Sequence, residues 1–318
     1  MEELRKVTNK IEAIGVVKEH KLEEGKGDKG KYINGSLTVK TGENSEIPIK
    51  VFVQQNTKEG KERKVFTTLK QFIDGSLHTM ATDKENAAIL HIYGNKDFTP
   101  QIKEEIFVPA NEEKAITKIS LDLGFGNIKV DNSLSEEDFK AAFDIEMFVT
   151  DITEELKGEE PDEEETGRVI VKGLVPNYDG TVFPLEVVAG KIVDEEGEEY
   201  DFAEDIKENV SEGDTLNIWG DINYQSIIEK VKKGGSLGRA KIEEKRTYIN
   251  ELVATGAEVV EDDDKQLDEE LIEKASKERA SKIKEKENEA KDDKKENKKG
   301  LTNKKDNKER KPKKSLGF

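Results

Sequence analysis

Apolar and polar residues alternate with a period of two over most of this chain, the signature of strands with one buried face. The clearest case is 210–224, where Leu216, Ile218, Gly220 and Ile222 alternate with Thr215, Asn217, Trp219 and Asp221 after a turn at Gly213-Asp214. Ile47, Ile49, Val51 and Val53 likewise alternate with Pro48, Lys50 and Phe52, behind a hairpin turn at 41–45. Pro48 has no N–H to give to a ladder, so this strand begins at an edge or at its own end. Residues 9–20 read as a strand bulged near Gly15, followed by a flexible polar loop at 22–31 and a strand from Tyr32 to Val39.

The period lengthens at 63–75, where Val65, Phe66, Leu69, Phe72 and Ile73 share one helical face that Asp74-Gly75 closes. Strands follow at 87–95 and 116–130, with a short apolar piece at 105–108. Ser135, with a carboxylate three residues on, caps a short helix carrying Phe139, Ala142 and Phe143. The second half repeats the scheme. A strand at 144–152, an acidic loop at 154–167 and a hairpin of 168–175 with 182–188 lead to a helix at 202–209. The strand bearing Trp219, a glycine-rich basic connection at 230–246 and a last strand at 247–260 complete it.

The repeat shows in matched phrases. Ile92-Tyr93-Gly94 answers Ile218-Trp219-Gly220, Ile47-Pro48-Ile49-Lys50-Val51 answers Phe183-Pro184-Leu185-Glu186-Val187, and Gly35-Ser36-Leu37 answers Gly173-Leu174-Val175. Thr117, Ile119 and Gly126 keep the mutual spacing of Thr247, Ile249 and Gly256. The expected organisation is a first β module over 1–132, a linker helix over 133–143, a second module over 144–260 and a charged extension over 261–318.

Charge alters this picture at the end of the chain. The 318 residues carry a formal charge of -18, but residues 291–318 hold twelve basic against five acidic residues, which leaves the rest at -25. An acidic body with a basic tail does not coat nucleic acid by bulk attraction. Over 262–290 the only apolar anchors are Leu267, Leu271, Ile272 and Ile283, enough for a solvated helix, and 291–314 reads as disordered. There are no cysteines, which removes disulfides and thiolate zinc sites and fits a reducing compartment. Without a signal-like N-terminus or a membrane-length apolar run, the expected location is a cytoplasm.

Catalytic chemistry finds no support. Gly25-Lys-Gly-Asp-Lys-Gly30-Lys31 follows the phosphate-loop pattern until Tyr32 stands where Ser or Thr must hold magnesium, and it lies between strands. His20, His78 and His91 are scattered, and carboxylates are too many for a pair to stand out. The chain reads as a non-enzyme with no cofactor and no metal.

Two modules of about five strands, each with a helix before the aromatic-Gly strand, resemble the oligonucleotide-binding (OB) barrel. The phrases Ile47-Pro48-Ile49-Lys50, Ile92-Tyr93-Gly94, Ile218-Trp219-Gly220 and Thr247-Tyr248-Ile249-Asn250-Glu251-Leu252 resemble strands of phage and bacterial single-stranded DNA-binding proteins. That resemblance implies a mainly β chain of tandem OB-like barrels, binding single-stranded DNA in replication or recombination. Replication or recombination proteins are then possible partners of the tail, and no membrane is involved. Bases would stack on Phe52, Tyr93, Phe98, Tyr178, Trp219, Tyr224 and Tyr248, while Lys50, Lys64, Lys96, Lys232, Lys233, Arg239 and Lys241 follow the phosphates. A family tail ending in Phe is acidic, whereas Phe318 follows lysines. The acidic loop also does not suit a DNA groove. A β-rich virion or tail-assembly protein is the alternative.

Overall fold

In the computed structural model, residues 4–95, 99–110, 112–158, 164–193, 197–233 and 241–302 are described. Fourteen strands and three α-helices occur among them. The first half runs β1 (Asn9–Gly27), β2 (Gly30–Lys40), β3 (Glu46–Gln54), α1 (Lys64–Ile73), β4 (Ile89–Tyr93), β5 (Gln101–Phe107), β6 (Ile116–Asp122) and β7 (Asn127–Val130). The second runs β8 (Lys140–Lys157), β9 (Glu164–Pro176), β10 (Val182–Ala189), β11 (Lys191–Val193), β12 (Glu199–Asp201), α2 (Phe202–Asn209), β13 (Thr215–Lys233) and β14 (Lys241–Val259), and α3 (Glu269–Thr302) ends the described chain. All strands but β11 and β12, which pair with each other, belong to one large mixed sheet.

The strand pairings return on themselves twice. In the second half β8 pairs β9, β9 pairs β10, β10 lies parallel to β14, β14 pairs β13, and β13 comes back to β8. In the first half β1 pairs β2, β2 pairs β3, β3 lies parallel to β6, and β7 pairs β4, which returns to β1. β6 and β7 are one strand interrupted by the turn Leu123–Gly126, where Gly124 has φ +53° and the Gly126 N–H donates to the Leu123 carbonyl at 2.7 Å. Each circuit has the order first, second, third, last, fourth, with the third and last strands parallel.

The two circuits join along β1 and β8 in a register that explains the repeat. Ile92 lies opposite Ala13, and Ile218 lies opposite Ile145. Ala13 and Ile145 are therefore equivalent, as are Ile11 and Phe143, and these last two pair directly with each other. A local two-fold exchange of the halves thus passes between Ile11 and Phe143.

Alternation makes the core. Ile47, Ile49, Val51 and Val53 are all buried while Pro48, Lys50 and Phe52 face out. One apolar cluster runs continuously from Ile11 to Ala254. α1 buries Phe66, Leu69 and Phe72 against it, each worth roughly 1.5–3 kcal/mol. Its end is fixed by the Asp74 N–H donating to Lys70 O at 3.0 Å, with Gly75 following at φ +80°. α2 is capped by Asp201, whose side chain accepts from the Glu204 N–H, and buries Phe202, Ala203 and Ile206.

Several local expectations change. The span 22–31 is not a flexible loop: β1 and β2 continue to Gly27 and Gly30, leaving only Asp28-Lys29 at the tip. The irregularity in β1 falls between Val17 and Glu19, because Gly15 is needed for close approach, a Cβ there lying 2.2 Å from Lys40 O. Gly35 and Gly173 differ in register, since Gly35 faces Val51 whereas Gly173 faces Leu185, the equivalent of Ile49. The expected helix near 133–143 is a single 3-10 turn at Glu136–Asp138, its start held by the Asp138 carboxylate accepting from Ser135 N at 2.8 Å. From Lys140 the chain joins the sheet instead, because Lys140 to Ala142 find backbone partners on β1.

The extension is better packed than its composition implies. Leu267, Ile272 and Ala275 are buried against Phe148 and Val182, and α3 continues through 291–302, which were expected to be disordered. The rest of that expectation, from 303 on, lies outside the described residues.

Candidate nucleic-acid interface

The expected contacts fall in three places. Lys50 and Phe52 stand on the outer face of β3, and Phe52 is 57% exposed. Its ring lies 5.5 Å from that of Tyr32 on β2. Tyr32 is laid flat because Gly25 opposite it has no side chain; a Cβ there would meet the ring at 2.4 Å. In the turn after β6, Phe125 is 60% exposed, with the Arg63 guanidinium 5.4 Å from its ring centre. Leu123 N–H donates to Lys50 O at 2.8 Å, which brings that turn beside the Lys50–Phe52 segment. Lys64, exposed, begins α1 next to Arg63. Sequence reasoning missed Tyr32, Arg63 and Phe125. The signal for Phe125 was an aromatic between two glycines, which break the expected strand 116–130 at a turn.

The lysine on this face is neutralised: Lys50 is ion-paired with Glu105. Burial pushes the Glu105 carboxyl up, but hydrogen bonds from Lys50 and Ser120 outweigh it and hold it below its ordinary value.

Tyr93 and Trp219 lie on a second face, formed by β4, β1, β8 and β13 in that order. Tyr93 is half-buried, 4.7 Å from the His91 ring. His91 meets Glu12 at 2.8 Å, and Lys140 meets the same carboxylate at 3.0 Å. Burial raises Glu12, yet these two partners leave it lowered. Trp219 sits at a register shift in β13 with its ring over Gly256, where a Cβ would lie 2.5 Å from the indole. It remains 38% exposed. In the first half the equally spaced Gly126 receives Pro100 instead.

The third place is the β13–β14 arm. Tyr224 and Tyr248 share one face of it, since Tyr224 faces Asn250 and Ser226 faces Tyr248. Tyr248 is exposed, while burial pushes the Tyr224 hydroxyl up. Lys232, Lys233 and Lys241 are paired in the arm's backbone, but their side chains, like all of Lys96, Phe98 and Arg239, lie outside the described residues. Tyr178 stands apart from all three, at the β9–β10 tip, with the Lys103 ammonium 5.9 Å above its ring.

Among the described residues no group of three or more His, Asp or Glu is arranged to hold a metal, and no helix is long and apolar enough to cross a membrane. What the geometry offers is exposed aromatic surface on a sheet, with neighbouring cations. The described residues make a mainly β chain built on one large mixed sheet, with three α-helices. It belongs to the YorF family, whose model matches residues 7–289. No curated protein matches it.

Proposed function

We propose that the chain binds single-stranded nucleic acid, DNA in preference, without catalysis, through two OB-like modules acting in replication or recombination in a cytoplasm. The order first-second-third-last-fourth, its parallel closing pair, and a helix between the third and fourth strands of each circuit support the OB reading. The observation that carries the binding reading is the exposed Phe52 ring beside the half-buried Tyr32, with exposed Phe125 under Arg63 on the adjoining turn, because aromatic faces stack bases of any sequence.

The test is an anisotropy titration with an oligonucleotide of about 30 nucleotides, long enough for two sites of roughly 4 to 16 nucleotides each. Binding that weakens with salt is expected. Deleting 291–318 weakens it at low salt and flattens the slope. A second reading, a virion or assembly component, is favoured by the pairing of surface lysines with carboxylates at Lys50–Glu105, Lys18–Glu46 and Lys172–Asp151. It predicts no binding at any salt concentration.

A further inference from the structure

The two halves share a pairing scheme but not a surface. With Val39 opposite Ile47 and Val175 opposite Phe183, the registers make Tyr32 equivalent to Arg168, Lys50 to Glu186 and Phe52 to Val188. Each replacement removes something a nucleic-acid strand needs. Val188 is buried and offers no ring. Arg168, the cation at this position, is held between Glu155 at 3.2 Å and Glu251 at 3.1 Å. Glu186 is exposed and negative where Lys50 is positive. The hairpins flanking the two faces differ in the same sense. Among the described residues of these hairpins, 22–31 carry three lysines and three acids, whereas 154–158 and 164–167 carry one lysine and four acids, a net of -3. Screening over about 8 Å at physiological salt confines that charge to its own half, where it adds to Glu186 against an approaching phosphate.

We propose that the halves divide the work: the β2–β3 face of the first half alone stacks bases, with Phe125 held by Arg63 as the ring next to Tyr32 and Phe52. The equivalent face of the second half is closed to polyanions. This rests on the reading that the chain binds single-stranded nucleic acid, and it assigns that binding to one face and adds Phe125 and Arg63 to it. The mobility of the bound strand then reflects one platform, so affinity levels off at the length one module covers, within about 16 nucleotides.

The experiment uses the full chain and oligothymidylates of increasing length, read by anisotropy at fixed salt, with Phe52→Leu, Phe125→Leu and Arg168→Ala as variants. The leucines keep apolar volume at exposed positions, and an unchanged unfolding midpoint verifies the fold. If a leucine variant fails that check, ultraviolet crosslinking of the unmodified chain, mapped to peptides, decides in its place. The expected result is that each leucine variant weakens binding about 5- to 150-fold, the loss of one stacked base, Arg168→Ala changes it less than twofold, and crosslinks fall at Tyr32, Phe52 or Phe125. Wild-type binding that survives both leucine variants, or falls equally with Arg168→Ala, or crosslinks mainly to 168–188, overturns the division of work and leaves the binding reading standing. Absence of binding by the wild type at every length removes both.

Discussion

Single glycines decide how closely the strands approach. Gly35 has φ +130°, and a Cβ on it would lie 1.8 Å from the Lys21 carbonyl on β1. Gly35→Ala therefore carries both a backbone penalty of about 1–3 kcal/mol and a forced displacement of similar size, which a lowered urea midpoint at unchanged slope reports. Two aspartates respond to pH in opposite senses. Hydrogen bonds from Lys129 and Ser133 lower Asp131 to about 2, so its contribution is present above the ordinary carboxylate range and is lost as pH falls toward 2. Asp131→Asn is expected to destabilise at pH 7 and to match the wild type near pH 2. Burial raises Asp221, which makes its ionised form a cost at neutral pH. Asp221→Asn should accordingly raise the midpoint at pH 7, with the gain vanishing below the ordinary carboxylate range; thermal midpoints across pH measure both.

At the scale of elements, α3 is a strap across the halves. Its first turns bury Ile272 and Ala275 against Phe148 and Val182 of the second half. Further along, Arg279 donates to both carboxylate oxygens of Glu104 on β5, at 2.7 and 2.5 Å, and Lys286 donates to Ile106 O at 2.6 Å. Lys282 meanwhile holds Asp179 of the β9–β10 tip at 2.7 Å. Glu104 is 4% exposed in its side chain, so removing Arg279 strands a buried charge. Arg279→Ala is expected to lower stability by about 2 kcal/mol, and a double-mutant cycle with Glu104→Gln to return a coupling of about 1–3 kcal/mol. Were the cycle additive, the strap would be held by its apolar turns and the Lys282 and Lys286 contacts without the Arg279–Glu104 pair. The extension's solvated reading failed here because its contacts are charges, and charge partners 175 residues apart leave no periodicity to read.

For the whole molecule, the two-fold exchange through Ile11 and Phe143 makes the contacts between halves reciprocal. The β5–β6 hairpin of the first half reaches the β9–β10 tip through Lys103 and Tyr178, and the β13–β14 arm of the second half reaches the β2–β3 turn through the Ser45–Gln225 bridge. Tyr224, taken from the sequence as a base contact, is drawn into packing on the core, whereas Tyr178 stays 86% exposed beside Lys103.

The sequence by itself determined most of the strands, α1, α2 and the alternation that sorts Ile47 from Lys50, because these depend on residues two to four positions apart; the strand at 140–143 and the continuation of β1 and β2 through 22–31 depend on pairing partners elsewhere in the chain. It also marked Lys50 and Phe52 as outward neighbours on one strand. Only the tertiary structure decided that Tyr32 lies over Gly25 beside Phe52, that the turn after β6 sets Phe125 near them under Arg63, and that Arg168 is pinned by Glu155 and Glu251. It alone decided that Tyr93 and Trp219 stand two strands apart on another face. The reason is physical: alternation tells a side chain to face out, but which outward side chains become neighbours is set by register between strands, and register is fixed by the burial of the opposite face across the whole sheet.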